Sequence, residues 1–482
     1  MATTLNCAVG SLAPYVPSDE QPWDLARVRH LYRRIGFGAR PDQLEVAQEL
    51  SPSQLVDQIL DAALNQSQRP EPFWANWTAD DYDDFEAESY PTYVRWMELH
   101  LDDMIQNGPR EKLVLFWSDH FATRYDDYFC PAYMYRYHKL LIDFAYGDFK
   151  QFTRDMTITP AMLFFLNGFE NRAESPNENY ARELFELFTL GVNNGYTQED
   201  IVQTSRALTG YNGWTGQCSP IEFTPWNFDD GEKTIFGQTG NYDLDGLIDL
   251  LFQERREEIA TFVCGKLYTY YVNPVVDETI VAGMAQTFLD ADFVIEPVLR
   301  ELFKSEHFFD EKNQGVIIKG PVDMFVGFIR ESNLLYHDGM LNWMFWYLSN
   351  LGQQLLQPPD VAGWPGDRSW IDSTRLTNRW GGMDNFIYAF NDTGPEHIIG
   401  FAKWISGDSN SPEVITQAFI DHFITNGLTS ETTFVTATEA LKAEIPQNYY
   451  DTGAWNLDWD SAKWQVIELL KYLHRLPEFH LA

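Results

Sequence analysis

Residues 176–191 read PNENYARELFELFTLG and set Asn179, Arg182, Glu183 and Glu186 at positions i, i+3, i+4 and i+7. On a helix this spacing gathers the four within about 100° of one face. Tyr180, Leu184, Leu187 and Phe188 make up the apolar side. Glu178–Arg182 and Arg182–Glu186 are also i,i+4 ion pairs. As a solvated stripe these pairs contribute a few tenths of a kcal/mol each. As a buried stripe, a carboxylate beside Arg182 stays ionised, and another in apolar surroundings keeps its proton. That division of roles is what acid–base catalysis uses.

An imidazole suited to such a centre lies in REKLVLFWSDHFATRY, residues 110–125. His120 shares a helix face with Leu113, Trp117 and Phe121, so it points inward and needs a partner from another helix. Asp119 is about 100° around the helix from it and is not that partner. The catalytic set expected from sequence is therefore His120, Glu178, Arg182, Glu183 and Glu186. A mixed His/carboxylate set also suits a divalent cation, so acid–base and metal-assisted hydrolysis are both open.

Substrate contacts are assigned to Trp117, Asn179, Arg206, Trp364 and Trp370. Arg206, on the helix expected after Thr197, is a second cation at the site or a surface residue. In GWPG (363–366) and the following Trp370, two indoles sit on a loop stiffened by proline. They form a platform for a neutral ligand such as a sugar ring, or they pack the loop onto helices. The competing reading of the whole chain is a non-catalytic scaffold or binding protein, with the Arg/Glu cluster as a structural network.

Other clusters carry less chemistry. Asn241, Asp243, Asp245 and Gly246 mimic the start of an EF-hand, but the twelfth position is Phe252, so Asp243 is expected to cap a helix instead. Asp80, Asp81, Asp83, Asp84, Glu86 and Glu88 could hold a hard cation, although such runs are usually solvated loops. Cys7, Cys130, Cys218 and Cys264 show no CxxC, which argues against zinc and leaves any disulfide pairing open. There is no Walker A loop, GxGxxG after a strand, HExxH or GxSxG.

The elements that must position these residues are helices. Periodicity predicts them over 23–35, 41–50, 52–63, 92–106, 110–124, 131–146, 176–190, 197–208, 243–253, 255–271, 293–304, 320–335 and 340–355. Residues 66–91 read as a polar aromatic loop, and 211–240 as a hairpin or ordered loop with β-prone pieces at 221–224 and 234–236. The expected architecture is mainly α: an N-terminal extension (1–22), a large multi-helical domain (23–390) with a small β-hairpin insertion, and a helical C-terminal module (391–482).

Of 482 residues, 44% are hydrophobic and 15% aromatic, ample for a large core. The 71 acidic and 34 basic residues leave a net charge of −37, which repels nucleic acid on average while permitting a local basic pocket. No apolar run is long enough to span a membrane. The first residues lack a signal-peptide pattern, so the protein stays in the cytoplasm or its export signal is missing from this chain. Thr4-Leu5-Asn6-Cys7 only faintly matches a lipoprotein cleavage box.

In order, RHLYRRIGFGARPDQL, FWSDHF, PNENYARELFELFTLG, YTQEDI with RALTGYNGW, GEKTIFG, IKGPVDMFVGFIR and PPDVAGWPGDRSWI resemble the bacterial family called domain of unknown function 1800. The resemblance runs over roughly residues 27–380. Similar proteins often carry His-Asp shortly before Gly-x-Lys, where this chain has Phe228-Asp229. The resemblance implies an exported protein, periplasmic or extracellular, often encoded beside a sulfatase-like partner protein. It implies no reaction.

Overall fold

The computed structural model describes residues 11–482. Cys7 and its surrounding motif lie outside the described residues. Helices begin where the sequence supplies caps: Asp24, Ser51, Asp84, Thr197 and Asp243 accept from the N–H groups of Arg27, Gln54, Ala87, Asp200 and Gly246. Proline occupies the first position of Pro41–Ala47, Pro52–Leu64, Pro109–His120, Pro131–Asp143 and Pro321–Ser332, where its missing N–H costs nothing. Thr197 and Asp200 form the expected reciprocal box, with backbone N–H bonds of 2.8 and 3.2 Å.

Several elements differ from expectation. The helix Phe85–Asn107 begins inside the predicted 66–91 loop and runs through Pro91. The Asp84 cap, reinforced by Glu88 accepting from Asp84 N at 2.8 Å, outweighs one lost ladder bond. The stretch expected as one α-helix over 176–190 is α-helical only over Asn179–Glu183 and continues as π-helix over Leu184–Thr189. Helices also form at Phe149–Thr157, Glu278–Asp290, Ser373–Thr393 and Pro395–Ser406, where periodicity had drawn no element. The hairpin pairs Lys233–Ile235 with Gln238–Gly240 around Phe236-Gly237, both at positive φ, as a tight hairpin turn requires. Phe223, in the other β-prone piece, makes only an isolated bridge to Tyr211.

The molecule is one large, mainly helical domain with this small hairpin and a distinct run of helices from Ser373 to Leu473. One hydrophobic cluster includes residues from Tyr15 to Phe479. The C-terminal run is tied to the first helix, Leu25–Ile35, where Arg33 donates to the His422 carbonyl at 2.5 Å. The chain end returns too, with Leu481 bridging Ile318. At the other terminus Tyr15 is buried, and its N–H donates to Lys304 O at 2.8 Å. Cys130 and Cys218 form a disulfide, while Cys264 is buried and free. No helix among the described residues is long and apolar enough to cross a membrane.

Candidate binding cavity

The charged stripe is a half-exposed surface network. Arg182 lies 3.1 Å from Glu178 and 3.5 Å from Glu186, and their side chains are 36, 40 and 24% exposed. Arg182 also donates to Gln198 at 3.0 Å, and Asn179 is exposed. Burial and then the charge of Glu186 push the half-buried Glu183 carboxyl up, against the pull of Arg182.

His120 points inward as expected, but its partner is backbone. Its Nε2 lies 3.0 Å from the Phe188 carbonyl in the π-helical turn, and its Nδ1 has no partner. An N–H facing a carbonyl places the proton on Nε2. Burial, reinforced by the charge of Lys266, keeps the ring neutral. The segment that carries the stripe thus offers His120 a backbone carbonyl from its apolar side, while Glu178 and Glu186 are paired with Arg182. Trp117 is fully buried with Nε1 donating to Ala145 O at 2.9 Å. Arg206 grips Asp229 with two bonds of 2.7 and 3.0 Å, so the acid of the divergent Phe228-Asp229 pair is an arginine partner here. In the acidic loop, Asp81 bonds Thr78 and Asp84 caps a helix. Among the described residues no three His, Cys, Asp or Glu side chains are grouped to hold a metal ion.

Trp364 and Trp370 lie elsewhere, on the wall of a partly open cavity of about 370 Å³. That volume falls in the range of small-molecule sites. Each structural layer contributes side chains. The helix Leu25–Ile35 supplies Arg33 and Arg34, and Phe37 follows it. Pro109–His120 supplies Lys112, Phe116 and Asp119, and Arg256–Tyr271 supplies Lys266 and Tyr270. Asp323 and Glu331 come from Pro321–Ser332, Lys319 from the residues just before it, and Phe479 from the short helix Pro477–His480.

Two glycines allow these layers to close. Gly363 has φ +85°, and a Cβ there would collide with the Asp119 carboxylate and stand 2.6 Å from its carbonyl oxygen. Without it, Trp364 N–H reaches Asp119 Oδ1 at 2.6 Å and locks the indole loop onto the helix. Gly38, at φ +103°, would place a Cβ 2.6 Å from Glu331 Cγ.

Most of the buried charges are spent on each other. Arg33 Nε meets Glu331 Oε1 at 2.5 Å, with side chains 5 and 7% exposed, and His422 Nε2 reaches the Glu331 carbonyl at 2.9 Å. Lys112 is paired with Asp323 and stands over the Phe37 and Tyr270 rings. Lys319 donates to Phe479 O at 2.8 Å, and burial pushes its ammonium down to about 7. Two cations keep capacity to spare. Arg34, buried, donates through Nη2 to Asn313 O at 2.7 Å, while its Nε and Nη1 have no partner. Lys266 has neither an ion pair nor a conventional hydrogen bond among the described residues, and its nearest ring is Phe262 at 5.7 Å. Burial lowers Lys266 and raises the Asp119 carboxyl to about 6.

Only the two indoles were picked out from sequence. The charged lining was missed because Arg33, Lys112, Lys266 and Asp323 have no common spacing; they come from four helices. The available signal was charge within apolar runs, as in LYRRIGF and KLVLFWSDHF.

No curated protein and no solved structure matches the chain. A family model described as Protein of unknown function (DUF1800) matches residues 30–481, reaching past the resemblance read from sequence and through the C-terminal helices. That span covers nearly every residue that builds the cavity, and the chain belongs to this family.

Proposed function

We propose that the protein is a non-catalytic binding protein whose ligand sits in the cavity behind Trp364 and Trp370. The observation that carries this reading is the division of charge in the interior. Arg33–Glu331 and Lys112–Asp323 are closed pairs that hold walls together, and aromatic side chains surround the space between them. Such a lining binds and orients a ligand. The stripe beginning at Glu178 is occupied by its own intrahelical arginine. The Cys130–Cys218 disulfide supports a periplasmic or extracellular location, because such bonds persist in oxidising compartments.

Acid–base hydrolysis is a second reading, favoured by one observation. Asp119 and Lys266 face the same cavity with their acidities shifted in opposite senses, which suits proton exchange. In this version the reacting groups are those two rather than His120 and the stripe.

Native mass spectrometry of protein produced in its own host tests the main reading. A small molecule should be carried in stoichiometric amount, lost in Trp370→Ala, and retained when Glu178, Glu183 and Glu186 are all changed to Gln. Retention by Trp370→Ala together with loss from the triple variant overturns it. Turnover of a carried compound that stops in Asp119→Asn would select hydrolysis.

A further inference from the structure

Resting on the binding reading above, we infer that the cavity selects a small organic anion: a flat ring bearing one carboxylate or phosphate. The anionic group would be held by Arg34 and Lys266, and the ring by Trp364 and Trp370.

The inference starts from an imbalance. The whole chain carries −37, yet the cavity is lined by Arg33, Arg34, Lys112, Lys266 and Lys319 against Asp119, Asp323 and Glu331, with Asp367 at the exposed rim. Removing the two closed pairs leaves Arg34, Lys266 and Lys319 facing Asp119 alone. Three cations facing one carboxylate leave positive charge in excess within the cavity, and a ligand that supplies the missing negative charge relieves that excess. Arg34 is the sharper indicator. Its Nε and Nη1 are buried without an acceptor; each lies on an edge of the guanidinium shared with Nη2, which already donates to Asn313 O, so each offers a charge-assisted donor to an oxygen of a carboxylate or phosphate. Lys266 supplies a point charge on a flexible stem from a different helix.

The apolar half of the ligand follows from the aromatic part of the lining. Trp364 and Trp370 are each 6% exposed, and Phe116 and Tyr270 also line the space. The Trp364 indole Nε1 is buried without a partner, a donor for a ring substituent. A bare inorganic anion would leave these rings unused, and a neutral sugar would leave the cations uncompensated. A ring with one anionic group satisfies both.

The test is calorimetric titration of the full chain at low salt with indole-3-acetate, phenyl phosphate and the neutral indole-3-acetamide. One or both anions should bind, and the more tightly bound of the two tells carboxylate from phosphate. The amide should bind at least about tenfold more weakly, the scale of one charge-assisted hydrogen bond. Lys266→Met should weaken the anions by about tenfold while leaving the amide unchanged. Without ligand, Lys266→Met should resist urea as well as or better than wild type, since it removes one of the cations in excess over Asp119; a purely structural lysine would give the reverse. Equal binding of acid and amide, or anion affinity indifferent to Lys266→Met, overturns anion selection but leaves the binding reading standing if Trp370→Ala abolishes the affinity. Failure of all three probes to bind overturns anion selection, while the binding reading stands or falls on the native mass spectrometry.

Discussion

Replacing Gly363 by Ala tests the joint between the indole loop and the helix Pro109–His120. Two costs add. An L-residue at φ +85° is strained by about 1–2 kcal/mol relative to glycine. The new Cβ also falls on Asp119, whose carboxylate must swing away and release the 2.6 Å bond from Trp364 N–H. A hydrogen bond to a charged group contributes about 1.5–3 kcal/mol. The sum is about 2.5–5 kcal/mol. Gly407→Ala is the matched control: its φ is +64°, but open space surrounds it, so only the strain of about 1–2 kcal/mol applies. Urea unfolding followed by tryptophan fluorescence should separate the two variants by about 1.5–3 kcal/mol. For 482 residues the unfolding entropy is about 1 kcal/mol/K, so the thermal midpoint of Gly363→Ala falls by only about 2.5–5 °C. Hydrogen exchange at the Trp364 amide gives a local readout and should accelerate. A Gly363→Ala protein no less stable than Gly407→Ala, with its Trp364 amide still protected, would refute the account of how the loop is held.

Three further outcomes are expected. Glu331→Gln leaves Arg33 buried without its counter-charge and should cost about 3–5 kcal/mol in urea unfolding; a loss below about 1 kcal/mol would mean the pair does not hold the cavity wall. Changing Cys130 and Cys218 together to Ser opens a loop of 88 residues and should cost about 4–5 kcal/mol, with wild type under reductant approaching the variant. Burial raises the Glu111 carboxyl, but His100 at 3.5 Å and Arg110 at 2.9 Å outweigh burial and hold it at about 2. A depressed carboxylate stabilises above its unfolded value near 4.3 and loses that contribution as pH falls toward 2. The drop in stability between pH 5 and pH 2 should therefore be smaller in Glu111→Gln by about 3 kcal/mol; equal drops would contradict the assignment.

The sequence by itself determined what depends on near neighbours. Helix class follows from apolar spacing, and the starts at Ser51 and Thr197 follow from caps whose partners are three residues away. The inward turn of His120 and the i,i+4 pairing of Arg182 were legible for the same reason. What such reasoning could not supply was the choice between solvent and interior for the charged stripe. That choice depends on what covers a face, and in the folded chain nothing covers Glu178 and Arg182 enough to bury them. The same blindness hid the cavity. Asp119 was set aside because it cannot face His120, yet that angular offset is what turns it toward Gly363, 244 residues away. Arg33 and Glu331 are 298 residues apart, and Lys266 meets the field of Asp119 only because two distant helices line one cavity. Pairing across such separations is decided by packing of the whole core, since local spacing carries no record of which helix will lie opposite.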